Sequence, residues 1–222
     1  MATKSVLIIG CALLGKKDAA AVTRGNAVWG INDSFMLCPT VKFDRIYAMD
    51  DWQRDKGIDP AYIKRIADRG VPVYTSVAYK EWPCLKEYPL KRVLAMLELD
   101  TTLGARILEN TVCYAIAHAI ALSFERIVLL GMSFDKPYSD IGLRRAGARM
   151  QKKYPGAPDW FKYYDRTICS KRFSVEPGST GVTFLIGMAH ARGIDVKIPL
   201  GEHLLNFDRD LFFYGFQNQP SL

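Results

Sequence analysis

Runs of five residues, mostly apolar, recur along the chain, and most stop at a residue suited to ending a strand. Ser5–Ile9 (S-V-L-I-I) stops at Gly10, Ala27–Ile31 (A-V-W-G-I) at Asn32-Asp33, and Arg45–Met49 (R-I-Y-A-M) at Asp50-Asp51. Val71–Thr75 (V-P-V-Y-T), Arg126–Leu130 before Gly131, and Ile194–Ile198 before Pro199 repeat the form. A short continuous apolar run is what a strand buried on both faces requires, and such strands belong to parallel sheets. Pro72 cannot donate to a ladder, so the fourth run is expected near a sheet edge.

Helical patterns fill the gaps. Asp59 and Pro60 open a predicted helix that runs to about Arg69 and closes at Gly70. Asn110 is the predicted cap of an apolar helix over Thr111–Ser123, and Gly181–Ala191 is helical with Gly193 past its end. Strands alternating with helices predict an α/β fold, a Rossmann-like, mostly parallel sheet flanked by helices. A length of 222 residues is expected to form one large domain over 1–222.

Composition narrows the class further. Apolar residues make up 49% and charged residues 24%, which excludes disorder as the main state. No apolar run reaches the ~18–20 residues of a membrane span, and Ser5–Ile9 is too short for a signal-peptide core, so no membrane partner is expected. Cys11, Cys38, Cys84, Cys113 and Cys169 form no C-x-x-C pair, which argues against a zinc ribbon or redox dithiol. Reduced thiols and a cytoplasmic location are the expectation, with Cys113 a small buried hydrophobe.

In parallel sheets the ligand crevice lies beyond the carboxyl ends of the strands. Gly10, Asn32, Asp33, Asp50, Asp51, Gly131 and Ser133 all fall there, although turn residues follow any strand. The loop Gly10-Cys11-Ala12-Leu13-Leu14-Gly15 is neither G-x-G-x-x-G nor a Walker loop. This disfavours a dinucleotide oxidoreductase or a P-loop kinase, while leaving the N–H groups of Gly10 and Cys11 as anion contacts. Asp50 and Asp51 are candidate ligands for Mg²⁺, or alternatively a helix-capping pair. His190 is a candidate general base, or only a favourable charge at a helix end. His118 sits in an apolar helix and reads as structural. The chain lacks H-x-x-x-H and G-x-S-x-G, so neither a zinc hydrolase nor an α/β-hydrolase is expected.

Charge is concentrated in one stretch. Asp135–Arg172 holds ten basic residues against four acidic ones, a surplus of six in a chain whose net charge is +7. Arg144, Arg145, Arg149, Lys152, Lys153, Lys171 and Arg172 are the candidate phosphate or nucleic-acid contacts, with Tyr138, Tyr154, Trp160, Phe161, Tyr163 and Tyr164 interleaved. A basic, aromatic insertion over 135–173 can act as a lid that holds phosphates and stacks on bases. The alternative is a solvated helical hairpin whose rings pack on the core.

Glu109–Asp135, E-N-T-V-C-Y-A-I-A-H-A-I-A-L-S-F-E-R-I-V-L-L-G-M-S-F-D, goes beyond composition. It resembles a pattern of bacterial sialyltransferases of the lipooligosaccharide type and of the related 6-hydroxymethylpterin diphosphokinase-like proteins frequent in bacteriophages. V-L-I-I-G followed by V-W-G-I-N-D is similar to the first two strands of that family, and F-L-I-G-M-A-H-A-R-G-I-D-V-K-I-P to its phage members. Two positions depart from the pattern: the first loop is G-C-A-L-L-G rather than G-x-G-P-S-(L/M), and Ser133 replaces an acid, with Asp135 two residues on.

The resemblance implies a nucleotide or nucleotide-sugar held at the strand ends. Gly10 would face the phosphates, Asn32 the ribose or base, and Asn110 and Thr111 the donor. Tyrosines from the region of Tyr138, Tyr154, Tyr163 and Tyr164, of which Tyr163 and Tyr164 are the candidates, would support the leaving phosphate, and a histidine, for which His190 is the candidate, would be the base; Asp135 completes the catalytic candidates. The resulting expectation is a glycosyltransferase using a UDP- or CMP-linked donor. Its expected acceptor is a hydroxymethylated base in phage DNA, which would place it in the host cytoplasm. The alternatives are a Mg-ATP-dependent diphosphokinase and a non-enzymatic phage protein that binds nucleotide or DNA.

Overall fold

Side chains along a strand point alternately to opposite faces, and β1 (Ser5–Ile9) uses both. Val6 and Ile8 join one core cluster while Leu7 and Ile9 join the other, and all four are fully buried. A computed structural model of the chain describes residues 3–10, 26–49, 60–132 and 176–198. Within them, β1 is followed by β2 (Ala27–Ile31), α1 (Ser34–Leu37), β3 (Arg45–Tyr47), α2 (Pro60–Ala67), β4 (Val73–Thr75) and β5 (Leu85–Glu87). Then come α3 (Leu90–Leu97), α4 (Thr101–Ile107), α5 (Thr111–Ala121), β6 (Arg126–Leu130), α6 (Glu176–Ala191) and β7 (Asp195–Lys197).

The seven strands form one sheet in the order β5-β4-β3-β2-β1-β6-β7. Every pairing is parallel, with Val6 opposite Ala27 and Ile127 on either side of β1. This is the expected Rossmann-like α/β architecture. On one face, Trp29, Ile31, Ile127 and Leu129 pack beneath α3, α4, α5 and α6. On the other, Val28, Ile46, Val73 and Leu130 pack with Phe35 of α1 and Ile66 of α2. Each such aliphatic side chain contributes about 1.5–3 kcal/mol when fully buried.

Several boundaries differ from the sequence reading. The third strand stops at Tyr47 rather than Met49, the fourth begins at Val73 rather than Val71, and the last covers only Asp195–Lys197. Pro72 lies just outside β4, where its carbonyl accepts from the Ile46 N–H at 3.0 Å. β4 is one strand in from the edge. The edge is β5, which sequence reading missed because Leu85 is its only buried residue. The predicted 111–123 helix ends at Ala121, and Ser123 adopts a positive φ of 54°. The last helix begins earlier than Gly181, at Glu176, and α1, α3 and α4 were not anticipated.

Glycine is required where α6 meets its neighbours. A Cβ on Gly181 would lie 2.1 Å from the Ile107 carbonyl oxygen and 3.0 Å from the Cys113 sulfur. The Gly181 N–H donates to the Glu109 carboxylate at 3.1 Å, tying α6 to the residues that precede α5.

Candidate functional site

From β1 the chain steps outward through β2, β3, β4 and β5, then returns to place β6 on the opposite side of β1. The strand order reverses between β1 and β6, and a ligand crevice opens at the carboxyl ends of strands at such a point. There Gly10 donates its N–H to the Leu130 carbonyl at 2.8 Å. A Cβ on Gly10 would sit 2.4 Å from the Gly131 carbonyl oxygen, so the two strand ends meet backbone to backbone. Gly131 itself turns with φ +66°. The glycines flagged in the sequence are thus brought together by a close approach that a side chain would block.

Asn32 closes β2 in the left-handed region, with φ 45°, and asparagine is among the few non-glycine residues that adopt it readily. Its N–H donates to the Tyr47 carbonyl at 2.7 Å, which holds the β2 turn against the end of β3. Its side-chain Oδ1 is buried and lacks a hydrogen-bond partner. Two residues on, the Ser34 hydroxyl is also buried and without a partner. An unsatisfied buried polar atom costs about 1–3 kcal/mol; the Asn32 oxygen lies in the turn at the strand end, whereas the Ser34 hydroxyl is fully enclosed against Gly30. Ser34 was not foreseen from sequence; the one available signal is the N-D-S turn that follows the A-V-W-G-I run. Asp33 precedes α1 without a side-chain cap bond to it, and its carbonyl accepts from the Met36 N–H at 2.9 Å.

α5 delivers its amino end to the same edge. Its last residues lead directly into β6, and the Glu125 N–H donates to the Lys4 carbonyl at 2.8 Å, at the start of β1. The helix therefore runs opposite to the strands, and Asn110 and Thr111 lie toward the carboxyl edge. Asn110 caps the helix as expected, its Oδ1 accepting from the Cys113 N–H at 3.1 Å. The partial positive charge of that helix end favours an anion. Cys113 just inside the helix is fully buried, and burial pushes its thiol up to about 12, so it packs as an inert hydrophobe.

Below the crevice, α5 is keyed to β3. Tyr47 and His118 are joined at 2.8 Å between the phenol oxygen and Nδ1. Burial, with Arg45 and Arg92 as neighbouring cations, lowers the His118 pKa to about 4, so the ring is neutral near pH 7. The phenols of Tyr47 and Tyr88 are pushed above their ordinary range by burial, and the Tyr88 hydroxyl donates to the Tyr114 carbonyl at 2.9 Å. His118 is therefore structural, as its apolar helix suggested. Through Tyr47 it steadies the carbonyl that holds Asn32.

His190 is placed elsewhere. It is exposed in the last turn of α6, immediately before β7 starts beside Arg126. That is the amino edge of the sheet, roughly a strand length (~16 Å) from the crevice. The structure thus groups Gly10, Asn32, Asp33, Asn110, Thr111 and Gly131 at one edge and leaves His190 at the other. Cys11, Asp50, Asp51, Ser133, Asp135, Tyr163 and Tyr164 lie outside the described residues, as do Arg144, Arg145, Arg149, Lys152, Lys153, Lys171 and Arg172. Among the described residues no group of three or more His, Cys, Asp or Glu side chains is arranged to hold a metal ion, and no helix is long and apolar enough to cross a membrane.

No protein-family model matches the chain. No curated protein is significantly similar to it. Among solved structures, the chain is similar to the sialyltransferase CstII from Campylobacter jejuni in complex with the substrate analogue CMP-3FNeuAc. The identity is 15% and the TM-score 0.48, over 92% of this chain and 85% of that one. A point variant of the sialyltransferase Cst-II in complex with CMP aligns with 15% identity and a TM-score of 0.47, over 91% of this chain and 84% of that one.

Proposed function

We propose that the chain is a nucleotide-sugar-dependent glycosyltransferase whose donor lies over the carboxyl ends of β1, β2 and β6. The observation that supports the reading is the buried, unpartnered Oδ1 of Asn32 at the strand ends, an acceptor that a ribose hydroxyl or a base amino group would satisfy. The amino end of α5 supplies a favourable potential for the donor phosphate. The likeness of Glu109–Asp135 to a pattern shared by sialyltransferases and diphosphokinase-like proteins supports a nucleotide ligand, which this reading takes to be a nucleotide-sugar, CMP- or UDP-linked.

In this reading the acceptor hydroxyl loses its proton to a base and attacks the anomeric carbon, and the bond to the nucleoside phosphate breaks. Tyr163 and Tyr164 donate to the departing phosphate, and basic residues of 135–173 offset its charge. His190 lies at the opposite edge of the sheet, so Asp135, four residues past Gly131 in the chain, is the carboxylate assigned here as base. The basic surplus of that segment supports DNA bearing a hydroxymethylated base as the acceptor. That assignment requires DNA affinity to fall steeply as salt rises.

The test is nucleotide-dependent thermal stabilisation with CMP, UDP, GDP and ADP and their sugar conjugates, with and without Mg²⁺. At 100 times its Kd a ligand adds about 2.7 kcal/mol. Asn32→Gly keeps the left-handed backbone at little cost and removes the amide, so it should abolish the shift while leaving the unliganded Tm within a few degrees. A shift confined to ATP with Mg²⁺ would replace glycosyl transfer by diphosphate transfer. No nucleotide shift at all would overturn both.

A further inference from the structure

A second arrangement lies below the crevice, on the face of the sheet that α3, α4, α5 and α6 cover. The Arg45 guanidinium lies 4.6 Å from the centre of the Trp29 ring and 5.7 Å from that of Tyr74. Arg45 and Tyr74 are half-buried and Arg92 is exposed, so the arrangement is open to solvent. The Tyr74 ring centre is 5.2 Å from that of His118 and the Tyr88 ring centre 5.4 Å, which closes the floor. Arg92, from the first turn of α3, is close enough to add its charge to that of Arg45 at His118.

Positive charge here is not balanced by a carboxylate, although part of the Arg45 guanidinium is engaged by the Tyr47 phenol. Among the described residues, neither Arg45 nor Arg92 makes an ion pair with a carboxylate. The first turn of α3 carries Lys91 and Arg92 and no acid. The indole Nε1–H of Trp29, against which Arg45 stacks, is buried and has no acceptor. A half-buried guanidinium is well served by aromatic faces but still presents its edge donors for planar recognition of an oxyanion. Among the described residues, carboxylates are absent from the groups that face His118, which are Tyr47 and Arg45 from β3, Tyr74 from β4, Trp29 from β2, Tyr88 just before α3 and Arg92 in its first turn.

We propose that Arg45, Arg92 and Trp29 frame a second ligand site that takes a small oxyanion, a phosphate or a carboxylate, on the face of the sheet that α3 and α5 cover. Arg45 would grip the anion through its edge N–H groups while Trp29 and Tyr74 keep the guanidinium plane fixed. Arg92 would close over the exposed side. The neutral His118 ring beside it would report occupancy, because an added negative charge raises the affinity of the ring for a proton.

The experiment is nuclear magnetic resonance of the His118 ring in the full-length protein at pH 5, close enough to the ring's pKa of about 4 that a rise in it changes the protonation, and at constant ionic strength. Inorganic phosphate and acetate are titrated separately, with chloride as the control. The expected result is a saturable His118 shift with phosphate, with acetate, or with both; a response to phosphate alone assigns a phosphate group, and a response to both a general oxyanion. Arg92→Gln, at an exposed position, should weaken the response at least fivefold. Arg45→Lys keeps the charge but loses the planar fork, and should weaken it as well. A His118 ring that ignores both anions would overturn the proposal. So would equal affinity in the Arg92→Gln and Arg45→Lys proteins, or a phosphate response seen only at the amides of Asn32 and Thr111.

Discussion

His118 makes the stability of this fold depend on pH in a window where few other groups titrate. Its ring is 5% exposed, bonded to the Tyr47 phenol, and held at a pKa of about 4 against an ordinary value of 6.5. The folded state therefore resists protonating it, while the unfolded chain does not. Above pH 6.5 the neutral ring contributes its full stability; as pH falls toward 4 the unfolded state takes up the proton first and that contribution is lost. Between pH 7 and pH 5 the two pKa values give a loss of about 2 kcal/mol, and the full difference corresponds to about 3 kcal/mol. The Asp195 carboxyl, which Lys197 and Arg126 hold below its ordinary value, titrates beneath this window and does not confuse it. Urea unfolding at pH 7, 6 and 5 measures the slope, and His118→Gln supplies the control because its amide can still meet the Tyr47 hydroxyl. The substituted protein should lose most of the pH dependence. An unfolding free energy that is flat from pH 7 to pH 5, or an equally steep slope in His118→Gln, would refute the reasoning.

Two further substitutions test the framework that carries the crevice. Gly181→Ala forces a Cβ against the Ile107 carbonyl, a backbone atom that cannot swing away, so a loss of about 1–3 kcal/mol is expected in urea unfolding. Asn110→Ala removes the acceptor of the Cys113 N–H and should cost about 1 kcal/mol, read as a Tm lower by several degrees, while Asn110→Ser should recover most of it.

Much of the architecture was legible because its signals are local. β1, β2 and β6 were located to the residue by apolar runs ending on Gly10, Asn32 and Gly131, since a doubly covered strand leaves no polar position to blur the pattern. The Asn110 cap was readable because a side-chain oxygen three residues ahead of an N–H is a local geometry. β5 was not legible, for an edge strand with one buried residue carries no periodicity. Nor was α1, whose four residues are too few to show a helical period. The candidate site divides in the same way. Residue type and strand-end position were enough to pick out Gly10, Asn32 and Gly131.

The sequence alone determined the fold class and the residues at the strand ends, because burial on both faces and turn chemistry are written into consecutive residues. Only the tertiary structure decided which of those ends meet. It set Gly10 against Gly131 across 121 residues of chain, left the Asn32 oxygen and the Ser34 hydroxyl buried without partners, and placed His190 at the opposite edge. It also closed Trp29, Arg45, Tyr47, Tyr74 and His118 around one another. The reason is physical: strand order and the direction of a crossover helix are settled by packing between distant segments, and no run of neighbouring residues encodes them.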